Sequence, residues 1–209
     1  IELVKKLVEI NKIDLNSKDN KNKTILHYAC ESDNYELVQY LISLNTIDLN
    51  IKDESERTIL HYLCQRGNLD TVKFIHNLGT AIFSIKDSEN KTLLHYSCES
   101  ENLELVKFLI STKQIDLDSE DKSGNTILHE ASQKANRLPI LEYLVEHKLI
   151  NINSINKEER TPILTAAYFG NSLGIRYLSK IKDVQLNSID LDGKNVLHYL
   201  CEHEQFLIA

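Results

Sequence analysis

Four times the chain sets a histidine three residues before a cysteine: His27 and Cys30, His61 and Cys64, His95 and Cys98, His198 and Cys201. An imidazole and a thiol at that spacing share one helical face, where they could bind zinc, act as base and nucleophile, or supply sulfurs for a disulfide. Zinc needs four ligands meeting within about 2.3 Å of one ion, and each pair offers only half of them. Stacked helices lie roughly 8 to 10 Å apart, too far for a neighbouring pair to complete the shell. A disulfide is disfavoured on the same ground, because bridged Cα atoms lie within about 7 Å. Thiol catalysis would need a third group to orient the pair, and a cysteine on a buried apolar face keeps a raised pKa. The chain has no Gly-x-x-x-x-Gly-Lys loop, His-Glu-x-x-His helix or Gly-x-Ser-x-Gly elbow. The expectation is no metal, no cofactor, no catalytic residue and no enzyme.

Each pair belongs to a longer string that recurs. "TILHYAC" at Thr24 is followed by "TILHYLC" at Thr58, "TLLHYSC" at Thr92, "TILHEAS" at Thr126, "TPILTAA" at Thr161 and "NVLHYLC" at Asn195, spaced 34, 34, 34, 35 and 34 residues. The longer step falls where "NLELVKFLI" becomes "NRLPILEYLV" around Pro139. A fixed period of this size marks stacked supersecondary units rather than a single globular core. The fourth and fifth copies put Ser132 and Ala167 at the cysteine position, and the fifth puts Leu164 at the histidine position. A place that accepts Cys, Ser and Ala selects for small volume, so the string is read as structural and its thiols as free.

Within a unit, counting the Thr as zero, the residues at +2, +5 and +6 (Leu26, Ala29 and Cys30 in the first copy) have the spacing of one helical stripe. Gly67 or Gly170, or a polar substitute such as Asp33 or Glu101, follows with Asn or Gln behind it, suiting a helix end and turn. A second amphipathic run such as "ELVQYLI" comes next, then charged, turn-rich stretches such as "IDLNSKDNKNK". The plan is helix, turn, helix, extended turn.

That plan resembles the ankyrin repeat. Asp19, Asp53, Asp87, Asp121 and Asp190 match the family's first Asp, the Thr-x-Leu-His column recurs, and "IDLN" matches the family's closing Ala-Asp-Val-Asn. The proline after Thr survives only as Pro162, and the glycine before it only as Gly124 and Gly193, which softens individual turns. The resemblance implies an all-α fold, an alpha-solenoid of stacked helix-turn-helix ankyrin repeats with β-turn or hairpin-like loops. It divides the chain into one array: a partial repeat at 1–16, full repeats at 17–50, 51–84, 85–118, 119–153 and 154–187, and a partial repeat at 188–209. Neither end shows the polar outer face of a terminal repeat, so neighbouring repeats are expected beyond both.

With 42% apolar and 26% charged residues the chain is expected to fold and be soluble. No apolar run is long enough to insert in a membrane. A net charge of −7 and a pI near 5.6 argue against binding nucleic acid. Free thiols suit a reducing compartment, the cytoplasm or the nucleus.

Recognition remains. The helical wheel sets +4, +7 and +8 opposite the buried stripe, giving an outward strip that contains Tyr28, Tyr62, Arg66, Tyr96, Glu130, Tyr168, Phe169 and Tyr199. In ankyrin-like proteins this strip lines the concave groove, and Tyr and Arg are frequent interface anchors. Two readings of the tyrosine column stand side by side: contacts for a partner, or rings that cover one another. Glu31, Asp33, Glu99, Glu101, Glu202 and Glu204 crowd the end of the first helix, where the macrodipole disfavours them. They suit either a partner with a basic segment or simple solubility. Lys5, Lys73, Lys107 and Arg176 share one outward position on the second helix. The function expected is a protein–protein interaction scaffold docking a partner along the groove and loop tips. The alternatives are a brace within a larger assembly and a substrate-recruiting module for a catalytic domain elsewhere.

Overall fold

A computed structural model describes residues 2–10, 13–32 and 34–207, with backbone alone for 204–207. The short strings form six inner helices: α2 (Ile25–Glu31), α4 (Ile59–Gln65), α6 (Leu93–Glu99), α8 (Ile127–Ser132), α10 (Pro162–Tyr168) and α12 (Val196–Leu207). The second amphipathic runs form an outer layer: α1 (Glu2–Glu9), α3 (Tyr35–Ser43), α5 (Leu69–Leu78), α7 (Leu103–Ser111), α9 (Leu138–Glu146) and α11 (Ser172–Leu178). Each inner helix from α2 to α10 packs on the next inner helix and on the outer helix of its own repeat, and α12 packs on α10. The all-α solenoid expected from the period is the observed architecture.

Why the chain turns where it does follows from its caps. Asn34, Asn68, Asn102 and Asn171 accept from the backbone N–H three residues on, starting α3, α5, α7 and α11. The residue before each of these caps is Gly67, Glu101 or Gly170 in the left-handed conformation, with Asp33 outside the described residues. Pro139 sits in the first turn of α9, and the additional residue of this repeat is absorbed by a 3-10 turn at Ala135–Arg137.

The core is one continuous seam. Leu26, Leu60, Leu94, Leu128 and Ile163 at +2 are each at most 1% exposed, as are Cys30, Cys64 and Cys98 at +6. Truncating one such leucine to Ala is worth about 2 to 5 kcal/mol. Between repeats the turn tips are tied edge to edge. The amides of Glu54, Ser88, Lys122, Lys157 and Leu191 donate to the carbonyls of Lys21, Ser55, Glu89, Ser123 and Glu158. Asn16, Asn50 and Asn153, at the close of their units, each donate to a carbonyl of the next repeat and accept one of its amides. Lys73 and Lys107 on the outer layer lie over the rings of Phe108 and Tyr143 in the following repeat.

Candidate functional site

The histidines are structural, and their bonds say why. Nδ1 of His27, His61, His95 and His129 accepts from the backbone N–H of Thr24, Thr58, Thr92 and Thr126, capping its own helix. The opposite nitrogen, Nε2, donates to a carbonyl of the next repeat: Arg57 for His27, Asn125 for His95 and Arg160 for His129, at 3.4, 3.1 and 2.9 Å. His61 faces the Lys91 carbonyl likewise, but from beyond hydrogen-bond reach, so its Nε2 is unpaired. This pattern fixes the neutral Nε2–H tautomer and leaves no lone pair for a metal. Burial lowers the pKa of all four rings, that of His61 to about 4.

Cys30, Cys64, Cys98 and Cys201 are free thiols. The first three are buried, and burial pushes their pKa up, to about 12 at Cys30, so the reactive thiolate is suppressed. Cys201 is exposed.

The +4 column departs from the helical-wheel expectation. Tyr28 is 50% exposed, but Tyr62, Tyr96, Glu130 and Tyr199 are between 3% and 6% exposed, inside the groove wall rather than projecting from it. An aspartate nine residues earlier holds each tyrosine hydroxyl, and the three buried tyrosines also lie against the preceding repeat, Tyr62 on His27, Tyr96 on His61 and Tyr199 on Tyr168. The hydroxyls of Tyr28, Tyr62 and Tyr96 donate to Asp19, Asp53 and Asp87 at 2.6, 2.5 and 2.6 Å, and Tyr199 donates to Asp190. Each such aspartate also accepts two amides of its own turn through Oδ1, so the bond folds the turn tip down over the ring. Burial works to raise the carboxyl pKa of Asp53 and Asp190, and the phenol, amide and arginine donors outweigh it, so both are lowered. Burial, followed by the carboxylate partner, raises the Tyr62, Tyr96 and Tyr199 phenols, Tyr199 to about 12.

The rings do not form a self-covering column either. Tyr62 and Tyr96 meet His27 and His61 of the preceding repeat edge to face, at 5.7 and 5.4 Å. Tyr168 against Tyr199, at 5.6 Å, is the one tyrosine pair in contact among the described residues.

A second column lies above the first. Lys23, Lys91 and Lys194, at −1, pair with Glu31, Glu99 and Glu202, at +7, at 2.5, 2.5 and 2.6 Å. The ammonium groups sit over the tyrosine rings beneath, between 5.2 and 5.8 Å from the centroids. Arg57 stacks on Tyr62 while pairing with Asp53, and Arg160 stacks on Tyr168 at 3.7 Å. Three of the acidic residues at the helix ends are therefore neutralised within their own repeat. Glu101 accepts from Asn136, whereas Asp33 and the Glu204 side chain lie outside the described residues.

Sequence reasoning missed both columns, although their signals were present as a fixed nine-residue Asp-to-Tyr interval and a fixed eight-residue Lys-to-Glu interval. What stays open on this face is Tyr28, Arg66, Tyr168 (41% exposed) and Phe169 (51% exposed), with the Arg66 guanidinium donating to the Glu31 carbonyl. Between them the fourth repeat opens into a polar depression of about 570 Å³. Its floor holds Glu130, which accepts from Arg137 at 2.5 Å, an ion pair at most 6% exposed on either side. Arg137 comes from the 3-10 turn that takes up the additional residue.

Among the described residues no three His, Cys, Asp or Glu side chains converge as metal ligands, and no helix is long and apolar enough to cross a membrane. Among curated proteins none matches this chain. The family model for ankyrin repeats in three copies matches residues 1–84 and again 78–156. With the register, the histidine caps and the stacked turns in agreement with that match, the chain belongs to the ankyrin-repeat family.

Proposed function

We propose that this array is a non-enzymatic scaffold that docks a segment of another protein along the face formed by its inner helices and turn tips. Ankyrin repeats are in general protein–protein interaction modules. The observation that carries the reading here is the open, polar depression of the fourth repeat, together with the exposed Tyr168 and Phe169 of the fifth. Exposed aromatic side chains are frequent anchors of interface cores. On this reading Tyr28, Arg66, Tyr168 and Phe169 touch the partner, while Glu130 lines the recess and the buried Tyr62, Tyr96 and Tyr199 brace the inner face. Three buried, protonated thiols suit a reducing compartment, the cytoplasm or the nucleus.

A photo-crosslinking side chain placed at Phe169 in the groove, and separately at Arg176 on the outer helix of the same repeat, tests the proposal. Capture of a defined partner from Phe169 and not from Arg176 is the expected result. Capture from Arg176 alone would transfer the function to the outer layer and favour the bracing role.

A further inference from the structure

The −1 position carries a cation in every repeat but one. The row reads Lys23, Arg57, Lys91, Asn125, Arg160 and Lys194. Each of the five charged members is engaged with a carboxylate on the groove face: Glu31, Asp53, Glu99, Asp190 and Glu202 in turn. At the fourth repeat the short Asn125 side chain turns down instead. It donates to Asp121 and accepts from Asn156, and so bridges nothing across the groove. The residue beneath differs too, since Glu130 replaces the tyrosine and swings to Arg137.

The depression opens at this gap in the row, and its wall is lined by Asp121, Glu130 and Glu99. Three basic residues at its edge are committed: Lys91 to Glu99, Lys122 to Glu89 and Arg137 to Glu130. Lys134 stands exposed at the rim. Asp121, like Asp19 and Asp87, makes no ion pair among the described residues, whereas Asp53 and Asp190 pair with Arg57 and Arg160. The recess therefore lies at the one −1 position without a cation, with the Asp121 carboxylate on its wall outside any ion pair.

We propose that this gap receives a lysine or arginine side chain of the docked segment, which takes the place left by Asn125 and pairs with Asp121. The inference rests on the groove-docking reading and names the chemistry of the residue the groove selects.

Two substitutions test it with residues that sibling repeats already use at the same places: Asn125→Lys, as at Lys91, and Asp121→Asn, as at Asn156. The first fills the gap from within, and the second removes the acceptor while keeping the turn, whose amides Asn156 holds in the same way. Gln114→Lys, on an exposed loop away from the recess, matches the charge change of the first. The probes are fluorescent hexa-arginine and hexa-glutamate peptides, followed by anisotropy, with circular dichroism to verify that each variant is folded. Hexa-arginine is expected to bind the parent chain, with affinity falling about tenfold in Asn125→Lys and in Asp121→Asn, the size of one lost charge-assisted pair. Gln114→Lys stays within about twofold, because a distant exposed charge is screened. The inference is overturned if the parent chain does not bind hexa-arginine, if it binds hexa-glutamate as well, if Asn125→Lys has no effect, or if Gln114→Lys weakens binding as much. In any of these cases a partner still captured from Phe169 leaves groove docking standing, so the two failures are distinguishable.

Discussion

Lowering the pH from 7 to 5 should loosen the array chiefly through its buried imidazoles, and His61 gives the magnitude. Its folded pKa is about 4 against 6.5 for the free side chain, because burial penalises the imidazolium and its Nδ1 accepts the Thr58 amide. Between those values the unfolded chain binds the proton and the folded chain does not. The stability contributed by a neutral His61 is therefore complete above pH 6.5 and is lost as pH falls towards 4. Over the whole window the loss is about 3 kcal/mol at roughly 1.4 kcal/mol per unit, and about 2 kcal/mol of it falls between pH 7 and 5. His27, His95 and His129 shift in the same direction and add to it. The lowered carboxyls of Asp53 and Asp190 act below their ordinary value of 3.8, outside this interval. Urea unfolding followed by circular dichroism at both pH values, on the parent chain and on His61→Leu, isolates the contribution. Leucine is chosen because Leu164 occupies the position in the fifth repeat, where Thr161 accepts its amide. His61→Leu loses its cap at both pH values, yet should lose about 2 kcal/mol less than the parent between pH 7 and 5 at an unchanged m-value. Equal losses in the two proteins, or an imidazole proton signal of His61 titrating near 6.5, would refute the reasoning.

Further outcomes follow from the same geometry. Tyr62→Phe removes a hydroxyl donated to a buried carboxylate and should cost about 1.5 to 3 kcal/mol in chemical denaturation, whereas Tyr28→Phe, on a half-exposed ring, should cost clearly less. Glu159 holds a φ of 56° at the turn position where Gly124 and Gly193 stand in other repeats, so Glu159→Gly should raise stability by up to about 1 kcal/mol, read as a higher melting temperature. Under native conditions a thiol reagent should label Cys201 alone, with Cys30, Cys64 and Cys98 reacting only on unfolding, as mass spectrometry of the labelled protein would report.

The architecture was legible because its signals are periodic and local. The +2, +5, +6 stripe, the turn residues and the single long step at Pro139 each recur in fixed register, and the inner and outer helices lie where that register put them. The inward, structural reading of the histidines also agrees with their bonds. The exposure of the +4 residues did not follow, for a physical reason: a helical wheel treats a helix as if alone, while here the preceding repeat lies against the ring, His27 on Tyr62 and His61 on Tyr96. Nothing in the sequence alone tells which way Glu130 turns. That depends on Arg137, seven residues on, arriving through the 3-10 turn of the fourth repeat.

The imidazole that links each repeat to the next also makes the seam directional. Loss of a following repeat takes the acceptor from Nε2 of His27, His95 or His129 and opens the ring to water, as at the exposed His198. Loss of a preceding repeat leaves the downstream helix its own threonine–histidine cap intact. Peeling from the C-terminal side therefore bares an imidazole N–H, while peeling from the N-terminal side bares the carbonyl that had accepted it.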